Sequence, residues 1–134
     1  MQQSIPQQFR MAPAKILIVE DHQDSREAFR ALFEAFGYDV VEAVNGREAI
    51  ERAAREHPSI ILMDIMMPEV DGFDASRSIR LLAGCEHTPI IALTAMDGAR
   101  ELALQAGMSD YVRKPVDIHG LLAKVSGWLK PTAA

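Results

Sequence analysis

The chain has 134 residues, 49% apolar and 25% charged, the size and composition of one soluble domain around one core, with no room for a second catalytic or DNA-binding unit. Its 14 Lys and Arg against 19 Asp and Glu leave a net charge of −5, the wrong sign for a general polyanion binder, so nucleic acid is excluded as a partner. The single cysteine, Cys85, rules out an internal disulfide or a Cys-based metal site, and no stretch resembles a signal peptide or the ~18 continuous apolar residues of a membrane span; a cytoplasmic protein without membrane contact is expected.

Residues 1–13 carry Gln2, Gln3, Gln7 and Gln8 with Pro6 and Pro13, too little apolar surface to offset ordering entropy, and read as a flexible leader. Residues 14–131 read as one folded domain and 132–134 as a tail. Ile16-Leu17-Ile18-Val19 is a short apolar run suited to a strand buried on both faces. Phe29, Leu32, Phe33 and Phe36 follow at helical spacing, with Gly37 as the stop and Asp24 or Ser25 as the capping candidate. Val40-Val41 is the second strand, and Ala49, Ile50, Ala53 and Ala54 mark a helix that Asn45 can cap. The third strand is Ile60–Met63, and a helix covers Phe73 to Leu82. Ile90–Leu93 is the fourth strand, followed by a helix from Ala99 to Ala106 that Gly107 closes. Tyr111-Val112 is a short fifth strand, and Ile118, Leu121, Leu122, Val125 and Leu129 form the last helical stripe. Five such units predict an α/β fold: a doubly wound, five-stranded parallel sheet in the order 2-1-3-4-5, flavodoxin-like, with helices on both faces. An eight-unit barrel typically needs ~250 residues.

In an open α/β sheet the site lies beyond the carboxyl ends of the strands. There the first strand delivers Glu20 and Asp21, the third Asp64, the fourth Thr94 and the fifth Lys114, while the second ends blandly at Ala43-Val44. Three converging carboxylates repel one another unless a pKa rises or a cation binds. Mg²⁺ suits the set, because it takes one or two carboxylates, keeps waters and binds phosphate oxygens. A lysine and a hydroxyl suit the remaining phosphate oxygens. The group reads as machinery for moving a phosphoryl group, with one Asp as nucleophile.

These residues lie in four ordered motifs: Ile-Leu-Ile-Val-Glu-Asp (16–21), Leu-Met-Asp-Ile-Met-Met-Pro-Glu-Val-Asp-Gly (62–72), Pro-Ile-Ile-Ala-Leu-Thr-Ala (89–95) and Ala-Gly-Met-Ser-Asp-Tyr-Val-Arg-Lys-Pro (106–115). In that order the chain resembles the receiver domains of bacterial two-component response regulators, from about Lys15 to Leu129. The resemblance implies that Asp64 accepts a phosphoryl group from a histidine of a sensor kinase or a histidine phosphotransfer protein. It implies Mg²⁺ on Asp21, Asp64 and the Met66 backbone carbonyl, with Glu20 acting mainly through water. Lys114 would pair with the phosphoryl oxygens, Thr94 would swing to hydrogen-bond the group, and Tyr111 would turn inward as the switch. Lys114-Pro115 would be a cis peptide. The face of the fourth helix, fifth strand and fifth helix would meet a downstream protein or a second copy. Two departures are visible: Glu20 stands where many members have Asp, and Val116 where Phe is frequent.

Such a protein is not an enzyme with a separate substrate; it catalyses only its own phosphorylation and dephosphorylation. The alternative is a pseudo-receiver that binds partners without phosphorylation. A flavin module is disfavoured because Glu-Asp-His-Gln-Asp (20–24) would repel a phosphate, and a haloacid-dehalogenase-type phosphatase because Met66 stands where its second Asp belongs. His22 adjoins the acidic pair and could ligand a softer metal, but reads rather as a lone exposed histidine, and His57, His87 and His119 have no ligand spacing. Cys85 has no cationic helper and reads as non-catalytic. Met63, Met66, Met67, Met96 and Met108 read as packing rather than cofactor ligands. Met66 and Met96, two residues after Asp64 and Thr94, are also expected at the mouth of the site, where apolar bulk excludes an attacking water and prolongs an acyl phosphate.

Overall fold

The computed structural model describes residues 13–67 and 70–129. The expected leader, Pro13 apart, and the tail over 132–134 lie outside them. Five strands and five helices alternate: β1 (Lys15–Val19), α1 (Gln23–Ala35), β2 (Asp39–Ala43), α2 (Gly46–Glu56), β3 (Ile60–Asp64), α3 (Gly72–Arg80), β4 (Ile90–Thr94), α4 (Ala99–Gln105), β5 (Asp110–Arg113) and α5 (Ile118–Leu129). All neighbouring strands pair in parallel, in the order β2-β1-β3-β4-β5 expected from the sequence. No helix among the described residues is long and apolar enough to cross a membrane.

Continuous apolar runs form the inner strands because both sheet faces are covered. Successive side chains of β1 and β3 point to opposite faces. Leu17, Val19, Ile61 and Met63 pack with Ala49, Ala53, Ala75, Ile79 and Ala103, so α2, α3 and α4 cover one face. Ile16, Ile18, Ile60 and Leu62 pack with Phe29, Phe33, Leu121 and Val125, so α1 and α5 cover the other. Chain reversal between the two layers puts every strand's carboxyl end on one edge.

Helix ends follow local chemistry, with two corrections to the sequence reading. Asn45 caps α2 as expected, its side chain accepting from the Glu48 N–H at 2.8 Å, while Glu48 accepts from the Val44 N–H at 3.2 Å. Asp24 and Ser25 are not the cap of α1: the N-cap position is His22, which makes no side-chain cap bond, and Asp24 lies in the first turn, where negative charge suits the helix dipole. Phe36 is not in the buried stripe of α1. It is the C-cap residue and 63% exposed, because Gly37 (φ 88°) turns the chain and Tyr38 packs edge-on against Phe33, ring centres 5.9 Å apart. Ala54 lies within α2, as expected, on its solvent side.

One polar residue ties the α3 side to the sheet edge. The half-buried Arg80 donates through Nε to the Gly107 carbonyl at 2.8 Å and through Nη1 to the carbonyls of Cys85 at 2.9 Å and Thr88 at 2.6 Å. Burial pulls its pKa down, yet a guanidinium stays charged and its fixed fork spans three carbonyls that a single ammonium cannot reach together. Arg80→Met leaves these carbonyls unpaired, a loss of about 1–3 kcal/mol; the urea midpoint is expected to fall, with Arg80→Lys recovering only part. An unchanged midpoint in Arg80→Met contradicts the bridging role.

Candidate functional site

At the carboxyl edge, parallel register fixes which side chains meet. Val19 is level with Met63, so Glu20 and Asp64 both follow at the ends of adjacent strands. Asp64 pairs with Leu93 and Thr94 with Arg113, which brings Thr94 and Lys114 to the same edge. The Lys114 N–H donates to the Thr94 carbonyl at 2.8 Å, and the Lys114–Pro115 bond is cis. Lys114 Nζ lies 3.3 Å from Glu20 Oε1 and 3.5 Å from Asp64 Oδ1. Glu20 is 1% and Asp64 3% exposed.

One ammonium is shared by two buried carboxylates, with Asp21 beside them, so negative charge is in excess. Burial, then the adjacent Glu20 carboxyl, pushes the Asp64 pKa up to about 7, against the opposing pull of Lys114 and of the Met66 N–H donated to Oδ1. The sign for stability follows: a carboxyl whose folded pKa is raised is held neutral below it, so folding is opposed increasingly as pH climbs from the ordinary carboxylate range through about 7.

A cation fits this donor set. Glu20 Oε2 and Asp21 Oδ1 are buried and accept no hydrogen bond, a costly state for charged oxygens unless a cation meets them. Ligand atoms of Glu20, Asp21 and His22 lie within 4.8 Å of one another, and the hard oxygens match a divalent ion.

The other residues singled out in the sequence fall in different surroundings. Thr94 is fully buried, and its Oγ1 accepts from the Met96 N–H at 3.0 Å. Tyr111 is half-buried, packed against the α2–α4 side of the core. Met63, Met67 and Met108 pack in the core as expected, but Met66 does not, being 63% exposed. It lines a cleft of about 440 Å³ with Met96, Met67, Ile65, Asp71 and Phe73. Cys85 is buried, with Sγ 3.8 Å from the Ala53 carbonyl oxygen.

Arg26 was missed in the sequence. Its Nη1 donates to the Glu20 carbonyl at 3.0 Å, and its Nε lies 3.6 Å from Glu42 Oε1. It thereby fixes the backbone from which Glu20 and Asp21 project. The signal was available: an arginine in the first turn of a helix directly after an acidic strand end can fold back onto that end.

Comparisons with known proteins agree with this geometry. The model of the response regulator receiver domain family matches residues 16–126. The polar-differentiation response regulator DivK of Brucella anthropi is 35% identical over 119 residues, which cover 87% of this chain and 97% of the relative. The receiver domain of the sensor histidine kinase PA1611 from Pseudomonas aeruginosa, solved with a magnesium ion coordinated in its active site cleft, has a TM-score of 0.81 at 38% identity, covering 88% of this chain and 98% of that one. The chemotaxis protein CheY4 of Vibrio cholerae has a TM-score of 0.83 at 28% identity, covering 88% and 100%. With a match that runs from β1 into α5, the chain belongs to the response regulator receiver domain family of two-component signalling.

Proposed function

We propose that the chain is a phospho-accepting receiver in which Asp64 is the acceptor. The observation that carries this reading is the meeting of buried Glu20 and Asp64 on Lys114 Nζ, at 3.3 and 3.5 Å, beside two unpartnered carboxylate oxygens. Asp21, Asp64 and the Met66 carbonyl would hold Mg²⁺, with Glu20 reaching it through water. When bound, the ion supplies the positive charge that lets an anionic phosphoryl group approach three carboxylates.

The donor is a phosphohistidine of a sensor kinase or a histidine phosphotransfer protein. An Asp64 oxygen attacks phosphorus, the P–N bond breaks, and its electron pair returns to the imidazole, which leaves as the neutral base after taking up a proton. Oδ1 is held by the Met66 N–H at 3.2 Å, which leaves the other oxygen to attack. Lys114 Nζ then moves from the carboxylates to a phosphoryl oxygen, a charge-assisted hydrogen bond. Thr94 rotates away from the Met96 N–H and donates its O–H to the phosphoryl group. The protein catalyses only this gain and the hydrolytic loss of its own phosphoryl group.

Output runs through Thr94 and Tyr111 to the face of α4, β5 and α5, as a shift toward a minor state that the added charge favours. That face carries the exposed Leu104 and Trp128, both beside Asp110, apolar surface suited to a downstream protein or a second copy. At its centre Asp110 accepts from Trp128 Nε1 at 2.9 Å and Lys124 Nζ at 3.2 Å. Burial alone would raise the Asp110 pKa, but the bonds from Trp128, the Tyr111 N–H and Lys124 outweigh it and hold the carboxyl below its usual range.

Incubation with acetyl phosphate and Mg²⁺, followed by intact mass, tests the acceptor. One phosphoryl group is expected on the wild type, with none on Asp64→Asn or in excess chelator. A gain that persists in either control contradicts the assignment; no gain on the wild type leaves the pseudo-receiver reading. A second prediction concerns lifetime. Met66 and Met96, two residues past Asp64 and Thr94 in the chain, line one cleft and neither can orient a water, so the acyl phosphate is expected to persist and the double variant Met66→Asn, Met96→Glu to lose it faster. Decay followed by mass in Mg²⁺ buffer checks this; loss within seconds in the wild type, or equal decay in the double variant, contradicts it.

A further inference from the structure

The ring of His22 approaches the acidic pair at a different Glu20 oxygen from the one that Lys114 holds. Its Nδ1 is 3.3 Å from Asp21 Oδ1 and 4.0 Å from Glu20 Oε2. These are the same two oxygens that are buried and accept no hydrogen bond. The His22 side chain is 77% exposed and that of Glu20 1%, so the imidazole closes the solvent side of an otherwise dry pair of oxygens. The ring is not occupied by its helix: His22 is the N-cap residue of α1 and makes no side-chain cap bond.

Two ligands each about 2.1 Å from one ion in a tetrahedral shell stand roughly 3.4 Å apart, close to the Nδ1–Oδ1 separation of 3.3 Å. Carboxylates and waters alone suit magnesium. An imidazole nitrogen adds affinity for first-row transition ions, which Mg²⁺ does not share. Among the described residues no other three His, Cys, Asp or Glu side chains gather in this way; His57, His87 and His119 lie elsewhere on the surface.

We propose that His22 adds a nitrogen ligand to the Glu20–Asp21 pair, so that the site takes a first-row divalent transition ion on His22 Nδ1, Asp21 Oδ1 and Glu20 Oε2. The proposal rests on the reading that this acidic pair faces a metal. Because Asp21 belongs to both ligand sets, the transition ion and Mg²⁺ compete for one place. The histidine then decides which of the two ions the receiver holds when both are present.

The probe is Co²⁺, added to the full chain and followed by its visible absorption and by proton NMR. Bound Co²⁺ is expected to shift the ring protons of His22 far outside the diamagnetic range. Mg²⁺ affinity is read by displacement of Co²⁺, and His22→Gln is expected to lower the ratio of Co²⁺ to Mg²⁺ affinity by about tenfold or more. His22 is exposed, so the substitution does not disturb the core. An unchanged ratio, or Co²⁺ binding that leaves the His22 ring protons in place, overturns the proposal. Mg²⁺-dependent labelling of the same wild-type sample by acetyl phosphate reports on the receiver reading separately. Labelling with an unchanged ratio rejects only the histidine ligand; shifted His22 protons without labelling uphold the ligand and reject the phospho-acceptor.

Discussion

Two carboxylates from neighbouring strands share one lysine at a buried sheet edge. Glu20 Oε1 and Asp64 Oδ1 stand 3.3 and 3.5 Å from Lys114 Nζ, with Asp21 adjoining and only one cation among them. Burial, and then the Glu20 carboxyl beside it, push the Asp64 pKa up to about 7, so ionising this carboxyl opposes folding. A domain gains nothing in stability from such an arrangement. It gains a set of buried oxygens suited to meeting a cation.

The scaffold is built to hold that charge in place. Each acidic group projects from the end of a strand whose body is buried on both faces, so the strand ends cannot spread apart without breaking both core clusters. Arg26 fixes the Glu20 carbonyl from α1. On the other side, α3 begins almost on top of β3: a Cβ at Gly72 would come within 2.7 Å of the Asp64 carbonyl oxygen and 2.8 Å of Ile65 Cα. Only glycine allows that approach, which explains its place eight residues after Asp64. Arg80 then ties the far end of α3 to the chain before β4 and after α4.

The sheet and the acidic edge were legible in the sequence because the first and third apolar runs are followed at once by carboxylates. Ile16–Val19 before Glu20 and Asp21, and Ile60–Met63 before Asp64, leave few other arrangements. Helix ends were less legible. His22 at the N-cap of α1 has no capping preference to announce it, and Phe36 kept helical spacing although the turn at Gly37 gave its place beside Phe33 to Tyr38. Arg80 acts through backbone carbonyls, that of Gly107 27 residues along the chain, and an acceptor that every residue carries leaves no mark in sequence. Met66 resembled its core neighbours in type, but its position past the strand end leaves it 63% exposed.

Thermal unfolding in chelator and in Mg²⁺, for wild type and Asp64→Asn, tests most directly whether uncompensated charge governs this site. Binding to the folded state alone stabilises by about 1.4 kcal/mol at tenfold excess over the dissociation constant. Mg²⁺ is therefore expected to raise the wild-type Tm by several degrees. Asp64→Asn is expected to melt above the wild type in chelator and to gain less from Mg²⁺. A wild-type Tm indifferent to Mg²⁺, together with an Asp64→Asn variant that melts below it in chelator, would contradict the account.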